Sequence, residues 1–311
     1  KLKDVVYKEL LQNAFDATKI AESKGLIDKG KINIIVDERE RTISFSDNGI
    51  GMTSDIVQKA FFTIGGTYKG DNVDNKLKSG GLGLAKMAFL FGSERLILET
   101  NHNGIKTKVN ATSQEIRTDN FKIYTESTTD TNGTIVQVKI PEYYTNGKGE
   151  QREIDFPKYI DSELEYSFLK NPLIGNIDVN YSIVNRQNSY NKNESEKLTL
   201  GKLPETYKKL SKATTSFADI DIYVDTTKLD KSYRPKHHIL SSGLFQFDIK
   251  FKTFDDETIP LNLIIDIKPK VTTTNDQYPF NNQREGFRPT VLIDINALSH
   301  YLKIFYKQIE L

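Results

Sequence analysis

The stretch Glu9-Leu10-Leu11-Gln12-Asn13-Ala14-Phe15-Asp16-Ala17 decides how this chain is read. Val6, Leu10, Ala14 and Ala17 recur at helical spacing, so residues 3–24 are predicted to form one helix that stops at Gly25. Glu9, Asn13 and Asp16 lie four and three residues apart and share a second stripe. At the angular advance of an α-helix that stripe sits roughly 90° around from the apolar one. Such a helix packs one side on a sheet and turns a row of carboxylate and amide groups toward a cleft. Alone, the spacing E-x-x-x-N describes a solvated polar face more often than a site, so the weight falls on motifs further along the chain.

Two strands are expected next, Ile32–Val36 and Thr42–Ser46, joined by a charged turn. Straight after the second comes Asp47-Asn48-Gly49-Ile50-Gly51-Met52. An aspartate at a strand end can accept a hydrogen bond from a base amino group, and two glycines let the backbone approach a flat ligand or turn tightly. Residues 63–83, rich in glycine, lysine and aspartate, read as a long mobile loop. It ends in Gly80-Gly81-Leu82-Gly83-Leu84-Ala85, leading into a helical pattern through Met87, Ala88 and Phe91. Glycine-rich backbone before a helix start is a phosphate cradle, since free N–H groups and the helix dipole point at the anion. This is neither a Walker P-loop nor the dinucleotide G-x-G-x-x-G. Strands are expected at 94–100, 104–110, 121–126 and 133–140, with Gly133-Thr134 opening the last.

Each element is weak alone. Their order and contexts (helix, strand end, loop into helix, Gly-Thr entering a strand) resemble the four motifs of the GHKL superfamily over roughly residues 3–141. That superfamily includes DNA gyrase, the ninety-kilodalton heat-shock chaperones, sensor histidine kinases, MutL, type IIB topoisomerases and the MORC ATPases. The third motif departs at Ala85, where a glycine is usual. The resemblance implies an α+β chain opening with a Bergerat α/β sandwich, and it implies ATP and Mg²⁺ as ligands. Glu9 would be the general base for the attacking water, and Asn13 the magnesium ligand. Asp47 would accept from the adenine amino group, with Gly49 and Gly51 shaping the pocket, Met52 packing near the base and Thr134 supporting the contact. Gly80, Gly81, Leu82 and Gly83 would line the phosphates in a movable lid. These parts suit phosphoryl transfer, which needs positioning and charge neutralisation rather than covalent chemistry. Asp16 reads more readily as a structural hydrogen-bonding residue than as a ligand contact.

The polar segment 142–155 reads as a linker, giving an ATP-binding domain at 1–141 and a second α+β domain at 156–311. The second domain is expected to hold a helix around 159–170, strands near 177–184, 219–225, 245–251 and 261–268, and a final helix from Ala297, with 186–200 an exposed loop. It loosely resembles the transducer domain of the gyrase, MutL and chaperone branch, in which a basic residue reaches back to the γ-phosphate. Arg284 is the first candidate, because a guanidinium pairs bidentately with phosphate oxygens. Lys270 is the second, and Lys268 is also considered.

Composition narrows the rest. The formal net charge is +1, with 27% charged and 37% hydrophobic residues, which gives no electrostatic reason to expect bulk nucleic-acid or membrane binding. With no cysteine, disulfides, thiolate metal sites and cysteine nucleophiles are excluded. A cytoplasmic protein is expected, and the chain, starting at Lys1 inside a helical pattern, reads as an excerpt of a longer one. The function expected is an ATP-operated clamp that closes its lid, dimerises on ATP and opens after hydrolysis, acting on a protein or DNA client. A histidine kinase is the alternative, although His102, His237, His238 and His300 all follow the first motif. A scaffold that closes on ATP with little turnover is the third reading, and Glu9 argues against it.

Overall fold

A computed structural model describes residues 3–62, 92–160, 171–187, 196–200, 202–227, 234–270, 279–281 and 286–310. The chain forms two compact units, residues 1–73, 83–171 and 175–201 in the first, and 74–82, 172–174 and 202–311 in the second.

The first unit is built on an 8-stranded mixed sheet, covered on one face by helix α1 (Lys3–Ser23). In chain order its strands are β1 (Gly30–Asp37), β2 (Thr42–Asp47), β3 (Arg95–His102), β4 (Ile105–Thr112), β5 (Tyr124–Ser127), β6 (Gly133–Lys139), β9 (Ile177–Val184) and β10 (Glu196–Leu200). Their order across the sheet is β10-β9-β1-β2-β6-β3-β4-β5. Strict alternation makes one face apolar: Ile32, Ile34 and Val36 on β1 are buried while Lys31, Asn33 and Ile35 are exposed. The buried row continues through Ile43 and Phe45, Leu96 and Leu98, and Val136 and Val138. Against it α1 sets Leu10, Leu11, Ala14 and Phe15, all buried. This is the mixed sheet with helix on one face that the resemblance implied.

The segment 142–155 and the residues after it pair as strands. The segment anticipated as a linker forms a hairpin of β7 (Tyr143–Thr145) and β8 (Gln151–Glu153). Past it the chain returns to the first sheet, where β9 pairs in parallel with β1 from Gly30↔Ile177 to Asp37↔Val184. β10, within the stretch expected to be a loop, pairs antiparallel with β9. Arg41 holds this return together. Its guanidinium donates to the carbonyls of Ile140, Pro141 and Ile154, at 3.2, 2.9 and 2.9 Å, and lies over the Phe156 ring.

The second unit carries a 5-stranded sheet ordered β11-β12-β15-β13-β14. These are Tyr207–Thr214, Ala218–Asp225, Leu263–Pro269, His237–Ser241 and Leu244–Asp248 respectively. Ile220, Ile222, Leu263, Ile265 and Ile267 line one face, and Val291, Ile295, Leu298 and Leu302 of the C-terminal helix (Leu292–Glu310) belong to the same core. His237 is buried among them with every ring position satisfied. Nδ1 accepts from the Phe251 amide at 2.8 Å, so Nε2 carries the proton and donates toward the carbonyls of Ile259 and Leu261. Burial lowers its pKa below the ordinary histidine value, although those carbonyls pull the other way. Among the described residues no helix is long and apolar enough to cross a membrane.

Candidate nucleotide site

Asp47 ends β2 with its side chain on the same face as Ile43 and Phe45. One carboxyl oxygen accepts from the Gly49 amide at 2.8 Å, and the Thr134 amide, opposite it on β6, also donates to the carboxyl. Burial nevertheless pushes its pKa up to about 7, against the pull of these two amides. Asp47 still keeps some accessible surface. A carboxyl that keeps some accessible surface and is still desolvated has few waters around it.

The loop after Asp47 is fastened residue by residue. The Asn48 side chain bridges to β1, accepting from the Lys31 amide at 2.7 Å and donating to the Lys29 carbonyl at 3.0 Å. Gly49 lies against α1, where a Cβ would come within 2.6 Å of the Ala17 backbone. The Ile50 amide donates to the Ala17 carbonyl at 3.2 Å. Gly51 has φ +70°, and a Cβ there would meet the Asn101 carbonyl oxygen at 1.9 Å. The Met52 amide donates to Thr100 Oγ1 at 2.8 Å. The two glycines therefore make room for protein backbone, one for α1 and one for β3, and let the loop lie close against both.

Contact with Ala17 also sets the scale of the site. Asn13 and Glu9 lie one and two turns before Ala17, about 6 and 12 Å along the axis at 1.5 Å per residue. That axial separation is on the scale of a nucleotide, with the loop that follows Asp47 at one end and the Glu9 carboxylate at the other. Glu9 is buried and Asn13 partly exposed. Among the described residues no cluster of three or more histidines, carboxylates or cysteines could hold a metal by itself. A magnesium ion beside a nucleotide usually takes one or two protein oxygens together with phosphates and waters. Asn13 is the residue that would supply the oxygen.

Thr134, buried, faces the site beside Asp47. Gly80, Gly81, Leu82, Gly83 and Arg284 lie outside the described residues. Lys270 belongs to the second unit, where its ammonium donates to the Thr215 carbonyl. Lys268 is committed within that unit too, 2.6 Å from Asp221 and 4.0 Å from Asp266. Burial opposes its charge, but the Asp221 hydrogen bond and both carboxylates hold its pKa above the ordinary lysine value.

The family described as histidine kinase-, DNA gyrase B- and HSP90-like ATPase matches residues 2–145. Residues 2–145 are thus a segment of the GHKL type. The matched GHKL segment contains α1, the Asp47–Met52 loop and β6, the elements that the geometry brings together. Sequence reasoning missed two contributors, Thr100 and His102. Both lie on β3, two residues apart and on one face, and His102 Nδ1 is 2.8 Å from the Ile50 carbonyl. Neither falls in a motif. Only the register that sets Thr100 opposite Thr134 brings Thr100 to the site.

Proposed function

We propose that the chain binds ATP with magnesium and hydrolyses it, using nucleotide binding to drive ATP-dependent association of two subunits. The observation that carries this reading is the desolvated Asp47 carboxyl beside a loop pinned to both α1 and β3. It supplies one fixed acceptor in a low-dielectric recess, which suits the exocyclic amino group of adenine. Asn13 would hold magnesium, and the ion supplies charge neutralisation at the phosphates. Glu9, buried on the same helix face, takes the proton of the attacking water. The glycines 80, 81 and 83 bind phosphate oxygens as a lid, with Leu82 among them. Arg284 is the first candidate for the basic partner of the terminal phosphate and Lys270 the second. Closure then depends on contacts present with ATP and absent with ADP, the differential affinity any such switch requires.

In this reading the second unit is a transducer, the 142–155 hairpin ends the segment that holds the nucleotide, and the setting is cytoplasmic, in keeping with the lack of cysteine. The client is a protein or DNA. Multi-angle light scattering tests the clamp. A non-hydrolysable ATP analogue with magnesium should double the mass of the wild type and leave Asn13→Ala monomeric. A mass that does not change with the analogue removes the clamp and leaves the nucleotide pocket standing.

A further inference from the structure

We propose that Thr100 is a positioning residue that makes the site selective for adenine, by directing the Thr134 hydroxyl proton into the pocket beside the Asp47 acceptor. The proposal rests on the reading of Asp47 as the base acceptor.

Valence limits the direction of each hydrogen bond, and distance decides between the two that remain. Thr100 is buried on β3 and lies in register with Thr134 of β6, which in turn lies opposite Asp47 of β2. All three side chains share one face of the sheet. Thr100 Oγ1 accepts from the Met52 amide at 2.8 Å. It also lies 2.9 Å from Thr134 Oγ1 and 3.2 Å from the Gly133 carbonyl oxygen. An amide can only donate, so Thr100 must accept there, and its single proton goes to Thr134 or to Gly133. The Thr134 oxygen is the nearer acceptor and closer to the preferred O–H···O distance. With that proton given to Thr134, the Thr134 hydroxyl turns its own proton away from Thr100 and toward the site.

The pocket then presents an acceptor, Asp47, next to a donor, Thr134. Adenine offers the complement along its pairing edge, an amino donor at C6 and an acceptor at N1. Guanine and hypoxanthine offer the reverse, a C6 carbonyl and an N1–H. Either would set oxygen against carboxylate and N–H against O–H, and sites built on buried polar groups discriminate strongly against such mismatches. Were Thr100 to donate to Gly133 instead, Thr134 would have to donate to Thr100, and the pocket would hold two acceptors. The arrangement is rigid because β3 fastens three successive loop residues. His102 holds the Ile50 carbonyl, Asn101 backs Gly51, and Thr100 holds the Met52 amide.

The test compares adenosine with inosine by calorimetry, which leaves phosphate and magnesium out of the measurement. Thr100→Val keeps the shape and removes the hydroxyl, and Thr100→Ser restores it. The expected result for Thr100→Val is an adenosine-to-inosine affinity ratio at least tenfold lower than wild type, with Thr100→Ser within threefold of wild type. A wild-type ratio in Thr100→Val overturns the proposal. So does an equal loss in Thr100→Ser, which would assign the effect to packing of the methyl group. If Thr100→Val does not fold, Thr100→Cys carries the same comparison, since a thiol is a weak donor. Failure of the underlying reading looks different: adenosine then binds Asp47→Asn as well as wild type, and the proposal falls with it.

Discussion

Replacing Asp47 by asparagine should stabilise the free protein while removing its affinity for adenosine. The carboxyl rises from 3.8 to about 7 on folding, mainly through burial. A raised carboxyl pKa means that the folded state holds its proton more tightly than the unfolded state. Stability therefore falls as pH climbs from about 4 to about 7, and the full penalty persists above that. Three units at about 1.4 kcal/mol each set a ceiling of about 4 kcal/mol at pH 8. Asparagine removes the charge but accepts less well from the Gly49 and Thr134 amides, a loss of about 1 kcal/mol for each weakened bond. The net expectation is about 2 kcal/mol, or a Tm rise of about 4–8 °C for a unit of this size. Calorimetric melting at pH 8 and pH 4 measures it, with the gain present at pH 8 and absent at pH 4. Adenosine affinity of the wild type should fall about tenfold from pH 8 to pH 6, because protonation competes with the amino donor. A lower Tm in Asp47→Asn at pH 8 would refute the desolvation argument. Wild-type adenosine affinity in the same variant would refute the role given to the carboxyl.

Two further outcomes are expected from the geometry. Gly51→Ala should abolish adenosine binding in titration calorimetry, because the added Cβ meets the Asn101 carbonyl oxygen at 1.9 Å on backbone with φ +70°; unchanged affinity would show that the loop is not held against β3. His237 has a lowered folded pKa, so stability is lost as pH falls below about 6.5, where the unfolded chain takes up a proton that the buried ring resists. A melting profile between pH 7 and 5 should steepen in wild type and flatten in His237→Gln, and equal slopes would contradict the assignment.

Much of the site is visible in the chain itself because its parts are local. Glu9 and Asn13 share a helix face by spacing alone, and Asp47 with its glycines comes after a strand whose alternation is plain. What the glycines do is not local. Gly49 and Gly51 read as close approach to a ligand or as a tight turn, and their close neighbours are Ala17 of α1 and Asn101 of β3. Thr100 and His102 are ordinary strand residues until pairing sets β3 beside β6. The return of the chain to the first sheet is hidden for a related reason. A polar, turn-rich segment resembles a linker, but here it is a hairpin, and β9 joins β1 across 147 positions of sequence at Gly30↔Ile177. Such a parallel pairing leaves no mark on composition. β13 escapes too, because His237 and His238 open it, and a pair of histidines does not read as buried strand even though both are covered.

The measurement that bears most directly on the central claim is ATP turnover and ATP retention in wild type and Glu9→Ala, tracked together with magnesium present. Glu9 is assigned to the attacking water, which matters only for hydrolysis, whereas Asp47 and Asn13 are assigned to holding the nucleotide. Glu9→Ala should lose about 10²–10⁴-fold in the rate of ADP formation, the usual range for removing a general base, while still binding ATP. Hydrolysis by Glu9→Ala at the wild-type rate, or loss of ATP binding together with turnover, would contradict the account.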